Sequence, residues 1–246
     1  MSKLFNEKDI IRIEDGKRIN TKDYIVKEEF YKLKINGEDF LEIAASPVKV
    51  KEMALGRIYC EGLIKSLDQI QEIKFRQKEK IIEIITRSNS SKEDTDEFSD
   101  DFFLDKKIES SIIFKVINML SNESVIFKKT GGVHNALLTD HKGKEIIFRE
   151  DIARHNTVDK IIGYILNNKI KVKDKILVLS CRISTKIIKK AVDIGFKVLI
   201  SQSPPSLKAI KIAERKNITL IGFVRNRRMN IYSQPERILL KQKEYY

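Results

Sequence analysis

The sequence predicts an α/β protein: a three-layer core with a mixed, mainly parallel sheet, plus a smaller β-rich N-terminal portion. Three observations carry this. Residues 175–233 alternate short apolar runs with helically spaced segments. That is the pattern of β-α-β units, whose strands lie parallel and whose crossovers are right-handed. Residues 28–87 instead hold two hairpin patterns around one helix. At 246 residues, 41% hydrophobic and 34% charged, the chain can bury a sizeable core as one large domain or two small ones.

Taken in order, residues 1–20 read as an irregular or edge segment. Glu28–Ile35 and Asp39–Ala44 flank Asn36-Gly37, a strong hairpin signal. Ser46-Pro47 is expected to cap a helix running to about Glu61, with Val50, Met53, Ala54, Ile58 and Cys60 inward and Gly62 as its stop. A second hairpin joins Ile70–Phe75 to Ile81–Thr86. Residues 88–107 carry seven acids between Glu93 and Asp105 and little to bury, which reads as a mobile acidic surface loop. Ser110–Leu120 has helical amphipathicity, and Ser124–Phe127 reads as a short strand. Thr130-Gly131-Gly132 suits a tight bend or close approach to a ligand, supplying backbone N–H groups. Ala136–Leu138 and Ile146–Phe148 pair around a turn at His141-Lys142-Gly143. Asn156 or Thr157 caps a helix whose buried face is Val158, Ile161, Ile162 and Ile165.

The segment 175–233 then organises the rest. Ile176–Leu179 reads as a strand buried on both faces, Thr185–Ile194 as a helix ended by Gly195, and Val198–Ile200 as the next strand. Ser203-Pro204-Pro205 opens a second helix, Leu220–Val224 is a third strand, and Asn226-Arg227-Arg228 turns it into Met229–Tyr232. The tail 234–246 reads as basic and partly frayed. The organisation is therefore 1–87, a β-rich portion with one helix; 88–107, the acidic loop; 108–233, the α/β core; and 234–246, the tail.

Open α/β sheets bind ligands where parallel strands end. The turns Ser180–Ser184, Ser201–Ser203 and Arg225–Arg228 all fall there, with Ser180, Cys181, Arg182 and Ser203 among their residues. Hydroxyls, helix N-termini and arginine forks suit phosphate oxygens, although Ser184 and Ser203 taken singly read as helix caps. His134 and His155 each sit beside a turn, near Arg149 and Arg154, and could shape a polar pocket by hydrogen bonding. Charge agrees: residues 169–246 hold 19 Lys+Arg against 5 Asp+Glu, while the remaining 168 residues hold 29 against 30. All of the net +13 thus lies in the segment that builds this edge, pointing to a polyanionic partner. Lys186, Lys189, Lys190, Lys208 and Lys211 read as solvated helix faces. Two cysteines make no disulfide framework or four-ligand zinc site, and no helix-turn-helix or zinc finger suggests nucleic acid. No apolar run reaches the roughly 20 residues of a membrane span, and no signal core opens the chain, so a soluble, cytoplasmic protein with no membrane partner is expected.

Thr130–Ala136, Glu150–Lys160, Ser201–Ser206, Gly222–Arg225 and Asn230-Ile231-Tyr232 together resemble the FdhD family, in that order; Ala54-Leu55-Gly56 and Glu61–Ile64 resemble its N-terminal half. The resemblance spans roughly residues 25–235. It implies a cytidine-deaminase-like core and an accessory sulfurtransferase for formate dehydrogenase. Such a protein takes persulfide sulfur from a cysteine desulfurase and passes it to the molybdenum bis-molybdopterin guanine dinucleotide cofactor. It further implies a homodimer and a cofactor-binding segment at Phe223, Val224, Arg225, Asn226, Arg227 and Arg228, with GDP or GMP-like ligands as mimics. The other expected cofactor-binding residues are Thr130, Gly131, Gly132, His134, Arg154, His155, Ser180, Arg182 and Ser203. The family's Cys-x-x-Cys pair has no counterpart here: the matching stretch near Ser88–Ser91 holds no cysteine. A hydroxyl cannot replace a polarisable thiolate. Cys181, before a helix N-terminus and beside Arg182, is the remaining sulfur candidate, and a holding or delivery role without sulfur chemistry is the alternative. A general nucleotide-binding module is a third reading. A zinc deaminase would need His-x-Glu or Cys-x-Glu with Pro-Cys-x-x-Cys; His134-Asn135-Ala136, His155-Asn156-Thr157 and Pro204-Pro205-Ser206 do not provide it.

Overall fold

The computed structural model describes residues 4–87 and 106–240. The acidic segment 88–105 and the last six residues lie outside the described residues.

Residues 134–233 carry one six-stranded sheet. Its strands are β8 (His134–Asp140), β9 (Glu145–Asp151), β10 (Lys175–Leu179), β11 (Val198–Ser201), β12 (Thr219–Arg225) and β13 (Arg228–Ser233), in the order β13-β12-β11-β10-β8-β9. The central β10, β11 and β12 run parallel. β8 is antiparallel to β10 and β9, and β13 is antiparallel to β12. Connection length explains this. Helical crossovers return the chain to the same edge, whereas the tight turns at Lys142-Gly143 and Asn226-Arg227 can only join antiparallel neighbours.

Two helical layers cover the sheet. α4 (Arg154–Asn167), α5 (Thr185–Ile194) and α6 (Leu207–Arg215) pack on one face, and α2 (Ser110–Glu123) on the other. The period-2 alternation of β10 serves both: Leu177 and Leu179 join Val158, Ile161, Ile187 and Ala209, while Ile176 and Val178 join Ile113, Val116 and Leu120. This is why Ile176–Leu179 has no polar face.

The N-terminal unit is a four-stranded sheet in the order β4-β3-β6-β5, from β3 (Glu29–Ile35), β4 (Glu38–Ala45), β5 (Ile70–Arg76) and β6 (Ile81–Thr86). α1 (Val50–Cys60) covers it with Met53, Leu55 and Ile58. The other side of α1 crosses α4 at backbone contact. A Cβ on Gly56 would overlap the Asp159 carbonyl, and one on Gly163 would overlap the Glu52 carbonyl. α4 is thus enclosed by the six-stranded sheet and by α1, and Asn156–Gly163 is buried without interruption.

Several local expectations are corrected. Of the expected irregular segment 1–20, residues 5–20 belong to a hairpin, β1 (Phe5–Glu14) with β2 (Lys17–Val26), turning at Asp15-Gly16 with φ of 50° and 74°. Asp-Gly in this left-handed pair is a type I′ turn signal. Its base is anchored by Phe5 against Tyr24, with Lys129 over both rings, while Ile11, Ile13 and Ile25 remain exposed. The expected strand at Ser124–Phe127 is helix α3 (Val125–Thr130): Ser124 Oγ accepts from Phe127 N at 3.1 Å, and a local cap outweighed β-propensity. Ser46 does not cap α1, whose N-cap is Lys49; it accepts from Ile152 N and donates its own N–H to Asp151. Neither Asn156 nor Thr157 caps α4; Asp151 accepts from Ala153 N at 2.9 Å. Ser206, not Ser203, caps α6. Part of the tail is ordered as well: Arg237 is fully buried, and β14 (Ile238–Leu239) pairs with β7 (Ile108–Glu109) at the start of α2.

Candidate functional site

The parallel strands end together, as their direction requires. Ser180–Ser184, Gln202–Ser206 and the end of β12 share one edge with the amino end of β8 and the carboxyl end of β9. His134 pairs with Asp151 across β8 and β9, and α4 begins three residues later with Arg154 and His155.

The small hydroxyls hold this edge together. Ser180 Oγ accepts from Asn135 N at 2.9 Å. Ser203 Oγ donates to the Ser180 carbonyl at 2.8 Å, and Ser201 Oγ donates to the Cys181 carbonyl at 2.7 Å. The Ser201 and Ser203 protons are therefore committed to backbone, not offered to a ligand. The Thr-Gly-Gly backbone is committed likewise. Gly131, at φ 64°, donates to the Phe127 carbonyl as the cap of α3, and Gly132 N donates to Thr130 Oγ1 at 3.1 Å. The expectation that this motif offers its N–H groups is corrected: it turns the chain from α3 into β8.

On the α4–α5 side lie His134, Arg154, His155 and Cys181. Burial lowers the His134 pKa, and Arg154 adds to this. Burial, with Lys190, Arg154, Arg57 and Lys186 adding repulsion, pushes His155 down to about 4, so it is a neutral imidazole. Among the described residues, its Nδ1 and the Ser184 Oγ are enclosed without a hydrogen-bond partner. Cys181 does not gain the low pKa expected from the helix N-terminus and neighbouring arginine. Burial pushes its thiol up to about 11, with Arg154 pulling weakly the other way. Burial pushes Cys60 up to about 12. These are the chain's two cysteines.

Arg225, Asn226 and Arg227 sit elsewhere. They line an open groove of about 970 Å³ with Phe114, Lys115, Asn118 and Met119 of α2. Cys181 packs in the cluster of α4, α5 and α6, on the opposite face of the sheet. The expected single hollow is thus two regions flanking one edge. Asn226 and Arg227 take positive φ, 49° and 61°, and the guanidinium of Arg225 lies 5.7 Å from the Phe223 ring centroid. Phe223 itself has φ 54° where the register with β13 breaks, and its N–H reaches the Ser203 carbonyl. Val224 points into the core, while Arg182 and Arg228 are exposed.

Sequence reasoning missed the charged network beneath the edge. Lys160 and Asp151, both fully buried, pair at 2.6 Å, and Lys160 also donates to the Glu150 carbonyl. Asn156 donates to Asp151 and to the Ala44 carbonyl. Asp159 binds Arg57 at 2.8 Å and also Lys190, while Arg149 makes a two-pronged contact with Glu52 at 2.6 and 2.8 Å. Burial lowers the Lys160 pKa and raises that of Asp159, with the partner charges opposing. No local signal exposed it: Asp159 and Lys160 fall opposite the apolar stripe of Val158, Ile161, Ile162 and Ile165, where a surface helix also places charge.

A sequence model of the FdhD/NarQ family matches residues 26–239. The chain belongs to this family. A relative from Shouchella clausii (strain KSM-K16), named "Sulfur carrier protein FdhD", is 34% identical over 257 residues, covering 94% of this chain and 96% of its own. The Staphylococcus aureus (strain MRSA252) protein of the same name is 35% identical over 252 residues, covering 94% and 95%. The crystal structure of a candidate formate dehydrogenase accessory protein from Desulfotalea psychrophila superposes with TM-score 0.82 at 24% identity, over 96% of this chain and 100% of that one. The family match takes in every motif that carried the resemblance beyond residue 26, the α1–α4 crossing and the arginine turn included.

Proposed function

We propose that this chain is an accessory protein for formate dehydrogenase that holds and delivers molybdenum bis-molybdopterin guanine dinucleotide. The observation that carries the reading is the Arg225–Arg228 turn, whose exposed guanidinium groups stand at the end of the parallel strands beside a large groove. Two diphosphates on one ligand are matched by this charge, and guanidinium forks bond phosphate oxygens two at a time. The relatives' name, sulfur carrier protein, supports a role in sulfur handling around that cofactor, and the accessory role given to the Desulfotalea protein supports formate dehydrogenase as the recipient.

Holding and delivery is preferred over sulfur carriage because persulfide chemistry needs an accessible thiolate. Burial keeps both thiols protonated near neutral pH. Sulfur carriage on Cys181, loaded by a cysteine desulfurase, is the second reading. Arg154 near the thiol favours it, and it requires the turn at 180–184 to open.

Two measurements separate these. Mass spectrometry of the protein purified from its own cells should find the guanylated cofactor and no sulfur adduct. After incubation with a desulfurase and cysteine, one added sulfur on wild type that is lost in Cys181→Ser would install the second reading instead. Equal affinity for GDP and ATP would point to a general nucleotide module and end the cofactor assignment.

A further inference from the structure

Much of the positive excess of residues 169–246 sits away from the candidate site, at the other end of the sheet. There the amino ends of β10, β11 and β12 meet the carboxyl ends of α4, α5 and α6. In the connection from α4 to β10, Ile170 and Val172 pack onto the core while Lys169, Lys171 and Lys173 are exposed. Two hollows open on this edge and share the end of α5. One, of about 360 Å³, takes Ile194 with Leu67, Leu166, Ile170 and Val172. The other, of about 410 Å³, takes Val192 with Phe196 and Ile218. Among the described residues the two linings hold five cations, Lys65, Lys169, Lys197, Arg215 and Lys216, and one carboxylate, Asp68, which accepts from Ser66 Oγ at 2.8 Å. Of the other acids at this edge, Asp174 is bound to Lys175 and Asp193 lies among Lys189, Lys216 and Lys190.

Apolar hollows inside a charged rim have the layout of a protein interface. With Lys171 and Lys173 the rim has seven cations, six of them lysines. Lysine is a flexible point charge suited to dispersed carboxylates, whereas phosphate recognition favours the fixed fork of arginine. We infer that this far edge is a docking surface for an acidic segment of a partner protein, whose apolar side chains enter the hollows while its carboxylates meet the rim. It stands independently of the cofactor reading, and the length of the strands separates it from the candidate site, so both can be occupied at once.

The test is a fluorescence-anisotropy titration of the full chain with a synthetic glutamate-rich peptide carrying phenylalanines. A second peptide has serine in place of each phenylalanine. The serine peptide should bind about tenfold more weakly, since its side chains leave the hollows unfilled. Lys171→Glu with Lys173→Glu, both exposed in a connecting segment, should keep the melting temperature and weaken the phenylalanine peptide about tenfold. Carbodiimide cross-linking should join that peptide to Lys169, Lys171 or Lys173. Equal affinity for the two peptides overturns the role of the hollows. Unchanged affinity in the double variant, or cross-links confined to Lys186 beside the candidate site, overturns the location. Displacement of the peptide by single-stranded RNA at equal concentration overturns the protein partner in favour of a nucleic acid, and no binding to wild type overturns the whole inference.

Discussion

At Cys181 two opposing influences act on one sulfur. A position before a helix N-terminus with arginine nearby favours thiolate, while exclusion from water favours thiol, and burial wins because the side chain is 2% exposed. Iodoacetamide at neutral pH should therefore label Cys181 only as fast as the chain opens; labelling of folded protein at a free-thiol rate would refute the burial argument. His155 gives a prediction of opposite pH sense. Its folded pKa, near 4, lies below the unfolded 6.5, so the unfolded chain binds the extra proton as pH falls through that window. Folded-state stability should drop between pH 6.5 and about 4, and the surrounding cations Lys190, Arg154, Arg57 and Lys186 should sharpen the drop. Melting temperatures of wild type and His155→Gln across that range check this: the variant should show the shallower slope, and parallel curves would remove His155 from the account.

The element that most depends on its exact residues is the α1–α4 crossing. Two glycines let one backbone rest on the other, each against a carbonyl of the opposite helix. Backbone cannot swing aside as a side chain tip does, so the helices must separate and break the packing around Met53 and Val158. Gly56→Ala and Gly163→Ala should each cost about 3 kcal/mol, measured as the shift of the urea midpoint at constant slope. A cost within experimental error would mean the helices slide freely. The β1–β2 hairpin is the contrasting case: it is held at its base by Phe5, Tyr24 and Lys129, and its far end touches little. Two strands alone are marginal in water, so that anchor sets its persistence.

Across the whole molecule, buried charge joins the N-terminal unit to the six-stranded core. Asp151 gathers Ser46 N, Ala153 N, Asn156 Nδ2 and Lys160 Nζ, and Asn156 continues to the Ala44 carbonyl on β4. Removing one partner leaves a charge out of water with less to answer it, so Lys160→Met should cost about 3 kcal/mol or more. Lys160→Met with Asp151→Asn should recover part of that loss in a double-mutant cycle; additive losses would show that the two side chains are not coupled. The uneven charge is a separate property of the whole. With the positive excess confined to residues 169–246, polyanion binding should weaken steeply as ionic strength rises.

Much of this architecture was legible in the chain. β10, α5, β11, β12 and the Asn36-Gly37 hairpin are local matters, in which an apolar run, a glycine stop or a turn pair is enough. The Asp15-Gly16 hairpin was equally local and was obscured by polar strands that bury little. The α3 helix escaped because one serine cap decided it. The candidate site was legible as an inventory of residues but not as a geometry. Sequence alone determined the fold class and the place of the positive excess, since both follow from pattern and composition along the chain, and its motifs carried the resemblance to the family. Only tertiary structure decided that the arginine turn faces α2 while Cys181 lies buried on the other side of the sheet, and that Asp151, Asp159 and Lys160 are interior. Which face a residue takes, and whether water reaches it, depends on segments a hundred positions away that no local spacing encodes.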